Sequence, residues 1–314
     1  MAIQKLIIGS RDSKLALIQT YWVRDRLLET YPELEIEIKE IKTQGDKILD
    51  QALSKIGGKA LFTKELENEL LAETIDLAVH SMKDLPTQLP AGLELAATSC
   101  REDVRDVVCF SDYSGVKSLE QAKVIGTSSL RRIAQLKNKY PQIEFVDIRG
   151  NLQTRFKKLN DPANKLDGIV LAAAGLHRLD MQDQIGEYLD PNEILPAVGQ
   201  GALGVEIKST REELRDLIRQ AINSREDELV LAGERAFLRK LEGGCQVPIG
   251  ISCHPEPEGR KDLLYTGLVS SLDGSKIYQD QITGNLEDAE KLGQELAEKL
   301  LAQGAAGILQ ELKV

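Results

Sequence analysis

Apolar runs of strand length alternate with amphipathic runs of helix length through the first half of the chain. That order confines it to an α/β layer architecture with a largely parallel sheet. Residues 5–8 form a short apolar strand. Ser13 is placed to cap a helix running to about Thr30, with Leu15, Ile18 and Trp22 on its apolar side, and Pro32 follows its end. Residues 36–41 alternate as a strand, 62–73 read as a helix and 75–80 as another strand. A second run repeats the plan. Residues 124–127 form a strand, Ser128 or Ser129 caps a helix that stops before Pro141, and 143–148 and 168–173 are strands. The two runs align as an internal repeat. Ile8-Gly9-Ser10 parallels Ile125-Gly126-Thr127, residues 36–42 parallel 143–149, and 75–79 parallel 169–173. Two such lobes facing each other would form a cleft, and ligands bind beyond the carboxyl ends of the strands in α/β sheets.

The tail follows another rule. Ser224 caps a helix to about Leu241, closed by Gly243-Gly244. Residues 249–253, 263–270 and 276–283 then read as three strands joined by turns such as Asp273-Gly274, and 286–303 as a last amphipathic helix. This predicts a small α+β domain with an antiparallel sheet. A length of 314 residues suits two or three domains at ~150 residues each.

Forty Lys and Arg against fifty Asp and Glu give a net charge of −10, which argues against a general nucleic-acid binder. The longest apolar run, 168–176, is nine residues, short of the ~18 a membrane span needs, and reads as a buried strand. The first nine residues lack the basic and apolar regions of a secretory signal. Four cysteines make no disulfide framework, and three histidines without a CxxC make no structural zinc site. These features predict a cytoplasmic protein with reduced thiols.

Arginines at strand-to-helix turns carry the clearest chemistry. Arg131 and Arg132 fall in the first turn of the helix opened by Ser128 or Ser129, where cations oppose the helix dipole. The same helix end offers free N–H groups to an anion. Arg11 beside Ser10 and Ser13 repeats the arrangement, and Arg149-Gly150-Asn151 with Arg155 adds two more forks after a strand. Guanidiniums suit carboxylates or phosphates bidentately. A single such arginine is usually a solvated charge, but three such turns in an acidic chain point to an anion site. Lys83-Asp84 follows an apolar strand. It reads either as a surface ion pair or as a carboxylate able to move protons and stabilise a developing cation. Lys55-Ile56-Gly57-Gly58-Lys59 is a glycine hinge between lysines, either a simple loop or a mobile lid, and its spacing is not that of a P-loop. Cys245, between Gly244 and Gln246, is either a small buried residue or an accessible thiol. The other cysteines read as structural.

Gly9-Ser10-Arg11 with Ser13, His80-Ser81-Met82-Lys83-Asp84, Gly126-Thr127-Ser128-Ser129 with Arg131-Arg132, and Arg149-Gly150-Asn151 with Arg155 closely resemble motifs of the porphobilinogen deaminase (hydroxymethylbilane synthase) family. Residues 196–204 and Gly243-Gly244-Cys245 complete the set, so the resemblance runs through nearly the whole chain.

The resemblance implies an α/β fold of two periplasmic-binding-protein-like (type II) lobes with a cleft, plus a small C-terminal α+β domain with a three-stranded antiparallel sheet. Lobe one would span 1–98 and 201–221, lobe two 99–200, and the third domain 222–314. The implied activity is that of a transferase of tetrapyrrole (porphyrin, haem) biosynthesis. It condenses four porphobilinogens head to tail, loses ammonia each time and releases hydroxymethylbilane. A covalent dipyrromethane cofactor on a Cys245 thioether would prime the chain, held by Lys83, Ser128, Ser129, Arg131, Arg132, Arg149 and Gly150. Arg11, Ser13, Arg149, Arg155, Arg178 and Gln200 would bind substrate, Asp84 would be catalytic, and Lys55 and Lys59 would belong to a mobile loop. Each pyrrole ring carries an acetate and a propionate, which accounts for so many arginines. The implied partner is porphobilinogen alone, without metal, nucleic acid or membrane, and the implied state is a cytoplasmic monomer. A non-catalytic anion-binding protein of the same architecture, or a metabolite sensor, is the rival, and neither has a reason to carry pyrroles.

Overall fold

The computed structural model describes residues 3–47, 62–242, 247–255 and 262–312. Its strands, numbered along the chain, are β1 Lys5–Arg11, β2 Glu35–Ile41, β3 Leu77–Ser81, β4 Leu93–Thr98, β5 Asp106–Phe110, β6 Val124–Gly126, β7 Glu144–Val146, β8 Gly168–Ala172, β9 Glu187–Tyr188, β10 Leu203–Lys208, β11 Ile249–Pro255, β12 Asp262–Ser270 and β13 Ile277–Asn285. They form three sheets, ordered β2-β1-β3-β10-β4, β7-β6-β8-β5-β9 and β11-β12-β13. The chain divides into two compact units. Among the described residues, the first holds 3–47, 62–102 and 201–228, and the second holds 103–200 and those from 229 onward.

In the first unit β1 runs parallel to β2 and β3, while β10 lies antiparallel to both β3 and β4. The helix Lys14–Thr30 starts where Ser13 Oγ accepts the Ala16 N–H at 3.3 Å. Val23 and Leu27 pack with Leu6, Ile8 and Leu77, and the helix Glu212–Ile222 adds Leu214 and Ile218 to the same core. Leu66 and Leu70 of the helix Lys64–Leu71 cover Ile41, Ile75 and Ala78.

A polar group is buried in this unit. His80 Nε2 lies 3.0 Å from Glu206 Oε2, and the Glu206 side chain is fully buried. Glu67 titrates above its ordinary value, first because burial disfavours its charge and further because the Glu206 charge raises it, with a Thr63 hydrogen bond pulling the other way. Removing one partner leaves the other's polar group buried and unsatisfied, at about 1–3 kcal/mol. His80→Ala is therefore expected to lower unfolding free energy by that amount in urea titration at neutral pH. An unchanged midpoint would show that the pair contributes nothing.

In the second unit β6 is parallel to β7 and β8, and β5 is antiparallel to β8 and β9. The two five-stranded sheets share one order, which the registers make explicit. Ile8 faces Ile38 as Ile125 faces Phe145, and Gly9 faces Ala78 as Gly126 faces Ile169. The repeat read from the first two strands of each run holds residue for residue. The third was misaligned, since Ala78, not Ile75, is the counterpart of Ile169. Each sheet is largely parallel, as the alternation predicts, with four strands running one way and a single reversed strand, β10 or β5, opposing both its neighbours. The apolar run 168–176 is not one strand: β8 ends at Ala172 and the helix Ala173–His177 follows, where alanines favour helix.

The three-stranded antiparallel sheet forms as the turns predicted. Ser271 N–H donates to Lys276 O at 2.9 Å across the hairpin, and Gly274 supplies a φ of +73°. Phe237, Tyr265, Leu296 and Leu300 fill its core, under the helices Arg225–Lys240 and Ala289–Leu300. Among the described residues no helix is long and apolar enough to cross a membrane.

Candidate functional site

The parallel strands β6, β7 and β8 end at one edge of their sheet. The antiparallel β5 begins there, with Asp106 opposite Ala172. Two hydrogen bonds tie the turn after β6 to the segment after β7: Thr127 N–H to Val146 O at 2.9 Å, and Ser128 Oγ to Ile148 O at 2.6 Å. Ser129, not Ser128, caps the helix Leu130–Lys139, accepting the Arg132 N–H at 3.5 Å. The first turn of this helix has no acidic residue and carries Arg131 and Arg132.

Both arginines turn inward onto Asp106. Arg131 Nη1 reaches Asp106 Oδ2 at 2.6 Å and Leu195 O at 2.7 Å. Arg132 Nη2 reaches Asp106 Oδ1 at 2.8 Å, and its Nη1 reaches Val170 O at 2.7 Å. Gln200 is also in the interior. Its amide donates to Asp106 Oδ1 at 2.9 Å and Val104 O at 2.7 Å, so it acts on this site through Asp106. Burial pushes the Asp106 carboxyl up, but the charges of the two guanidiniums and their hydrogen bonds overcome it and hold the group well below the carboxylate range. Asp106 is therefore ionised at neutral pH, and it offsets one of the two buried cations at an otherwise unfavourable helix end.

Arg149 follows β7 and is 9% exposed. Gly150 takes a φ of +112°, and a Cβ there would lie 2.6 Å from Thr154 Cγ2, so only glycine fits. Its carbonyl accepts from Arg155 Nε at 2.9 Å. Asn151 caps the next helix, Leu152–Leu159, by accepting the Thr154 N–H at 2.9 Å. Arg178, half-buried, follows the helix after β8. The second unit thus gathers Ser128, Ser129, Arg131, Arg132, Arg149, Gly150 and Arg155 where parallel strands give way to helices. Two donors in this group, Arg132 Nε and Arg149 Nη1, are buried without a hydrogen-bond partner. A buried donor left unpaired costs about 1–3 kcal/mol, more when charged, unless an acceptor arrives. With one carboxylate against three buried guanidiniums, the chemistry favours an anion.

In the first unit the corresponding edge carries Arg11, whose guanidinium stacks 4.2 Å from the Phe62 ring centroid, and the capping Ser13. The turn after β3 is anchored by buried Met82 and Leu85 and closed by Asp84 N–H donating to Ser81 O at 2.9 Å. Lys83 and Asp84 between those anchors are exposed. Gly204 makes room for Met82, whose sulfur would lie 2.5 Å from a Cβ placed there.

Lys55, Lys59 and Cys245 lie outside the described residues. Cys109 is buried as expected, and burial pushes its thiol up to about 12, whereas Cys100 is exposed and not a packing residue. Asp106, the hub of the arginine cluster, carries no motif of its own in the sequence. The one signal for it was an acid placed directly ahead of the apolar strand 107–110.

Residues 6–216 match the family model described as "Porphobilinogen deaminase, dipyromethane cofactor binding domain", and residues 229–302 match "Porphobilinogen deaminase, C-terminal domain". The chain is 52% identical to the porphobilinogen deaminase of Prochlorococcus marinus strain MIT 9312, covering 98% of this chain and 96% of that one. It is 50% identical to that of Nostoc sp. strain PCC 7120, covering 97% and 94%. Solved structures align more distantly. The BvgS VFT2 domain of Bordetella pertussis does so with a TM-score of 0.42 at 15% identity, over 74% of this chain and 92% of that one. With both domain models matched in order and half of all positions identical along nearly the full length, the chain belongs to the porphobilinogen deaminase family.

Proposed function

We propose that the chain is a transferase that condenses four porphobilinogens head to tail and releases hydroxymethylbilane, the linear precursor of tetrapyrroles. Each condensation forms one carbon–carbon bond and frees one ammonia, and release breaks the bond to the priming group and takes up one water, which supplies the product's hydroxyl. The observation that carries this reading is the pair of buried, unspent guanidinium donors on Arg132 and Arg149, in a chain that matches both family models.

Those donors, and the excess of buried positive charge around Asp106, fit a group bearing several carboxylates. Arg131, Arg132, Arg149, Ser128, Ser129, Gly150 and Lys83 would hold the dipyrromethane cofactor, with a thioether to Cys245. When bound, that group supplies the nucleophilic pyrrole end on which the product is built, and it is retained after release. Arg11, Ser13, Arg155 and Arg178, with Arg149, bind the acetate and propionate groups of incoming substrate, and Gln200 contributes by fixing Asp106. Asp84, on its exposed turn, exchanges protons with the leaving amine and steadies the positive charge that develops at the pyrrole nitrogen. The functional partition is 1–98 with 201–221, 99–200, and 222–314. The protein acts as a cytoplasmic monomer with no metal, nucleic-acid or membrane partner.

Incubation with porphobilinogen tests the reading. Ammonia is expected in a one-to-one ratio with substrate consumed, together with a product of four rings. Substrate left intact, or consumed without ammonia, would overturn it.

A further inference from the structure

We propose that Asp106 is a positioning residue, which sets the forks of Arg131 and Arg132 so that they receive the carboxylates of a polyanionic pyrrole chain. The proposal rests on the function just given. Both carboxylate oxygens of Asp106 are spent: Oδ2 on Arg131, and Oδ1 on Arg132 and Gln200. A backbone carbonyl from a different segment completes each clamp, Leu195 O for Arg131 and Val170 O for Arg132. Each guanidinium is therefore fixed from two directions before any ligand arrives, which removes the entropic cost of ordering a long side chain on binding.

The charge count points the same way. One carboxylate against two guanidiniums leaves the cluster one positive charge in excess, with Arg132 Nε buried and unspent. A second carboxylate would neutralise the cluster and weaken its attraction for an anion. None at all would leave two cations opposing each other at a helix N-terminus.

The test is intact-mass spectrometry of the full chain, produced in cells that make no porphobilinogen and then incubated with it. The rate of gain of two pyrrole units is read over time. Asp106→Asn keeps the shape and removes the charge, and is expected to slow that gain about 10-fold, since misplacing a binding group by ~1 Å can cost 10²-fold. Asp106→Glu should recover part of the rate. In an Arg132→Ala background the same Asp106→Asn change should cost less, about 3-fold, because only Arg131 is left for the carboxylate to position. The same factor in both backgrounds, or a parental rate for Asp106→Asn, would overturn the proposal. Should Asp106→Asn fail to fold, Gln200→Ala loosens the carboxylate without removing it. A clear slowing there, smaller in the Arg132→Ala background, supports the proposal, and a parental rate or equal slowing in both backgrounds overturns it. A parent that gains no mass removes the function and this proposal together. A parent that gains mass beside an equally fast Asp106→Asn chain removes this proposal alone.

Discussion

Asp84→Asn is expected to leave a folded chain whose turnover of porphobilinogen falls by about 10²–10⁴-fold, the range that loss of a general acid–base group costs. The structural argument separates chemistry from stability at this position. Met82 and Leu85 are buried and fix the turn, while Asp84 between them is exposed and enters no core. The hydrogen bond that closes the turn uses the Asp84 backbone N–H, which asparagine retains. Unfolding free energy should therefore stay within about 0.5 kcal/mol of the parent, as for exposed substitutions generally. Asparagine keeps the side-chain shape but neither passes a proton to the leaving amine nor presents a negative charge to a developing cation. Turnover within a few-fold of the parent would remove Asp84 from the chemistry. A matching loss of stability would make its role structural.

Cys245→Ser is expected to abolish product formation, and neither Cys109 nor Cys100 takes over. Serine puts an un-ionised hydroxyl where a thiol, a far better nucleophile near neutral pH, would form the attachment bond. Cys109 is buried and its thiol is pushed up to about 12, which keeps it protonated and inert. Cys100 is exposed, but it follows Ser99 in the first unit, at a position the family motifs do not use. Product formed by Cys245→Ser at a rate near the parent's would show that the attachment is elsewhere or unnecessary.

Local signals were legible where a single segment decides the outcome. The capping oxygens of Ser13 and Ser129, the breaks at Pro32 and Pro141, and the alternation of β2 each act within one turn or one strand. The arginine turns were legible for the same reason: two cations in a helix's first turn are locally unfavourable and ask for an anion. What answers them was not legible. Asp106 lies 25 residues before Arg131 and 94 before Gln200, and no periodicity links them. The reversed direction of β5 and β10 is likewise fixed only by pairing with strands far away in sequence, such as Leu203 against Ser81. Cys245 stands apart from both cases. Its role came from the family motif and not from physical pattern, because a cysteine after a helix C-terminus has no signature of its own.

The central claim is that this chain builds and keeps a pyrrole group on itself, and intact-mass spectrometry after incubation with porphobilinogen tests it most directly. The predicted result is a stable excess of two pyrrole units on the parent chain, absent from Cys245→Ser. A folded parent that stays at the mass of its unmodified sequence, however long the incubation, would contradict it.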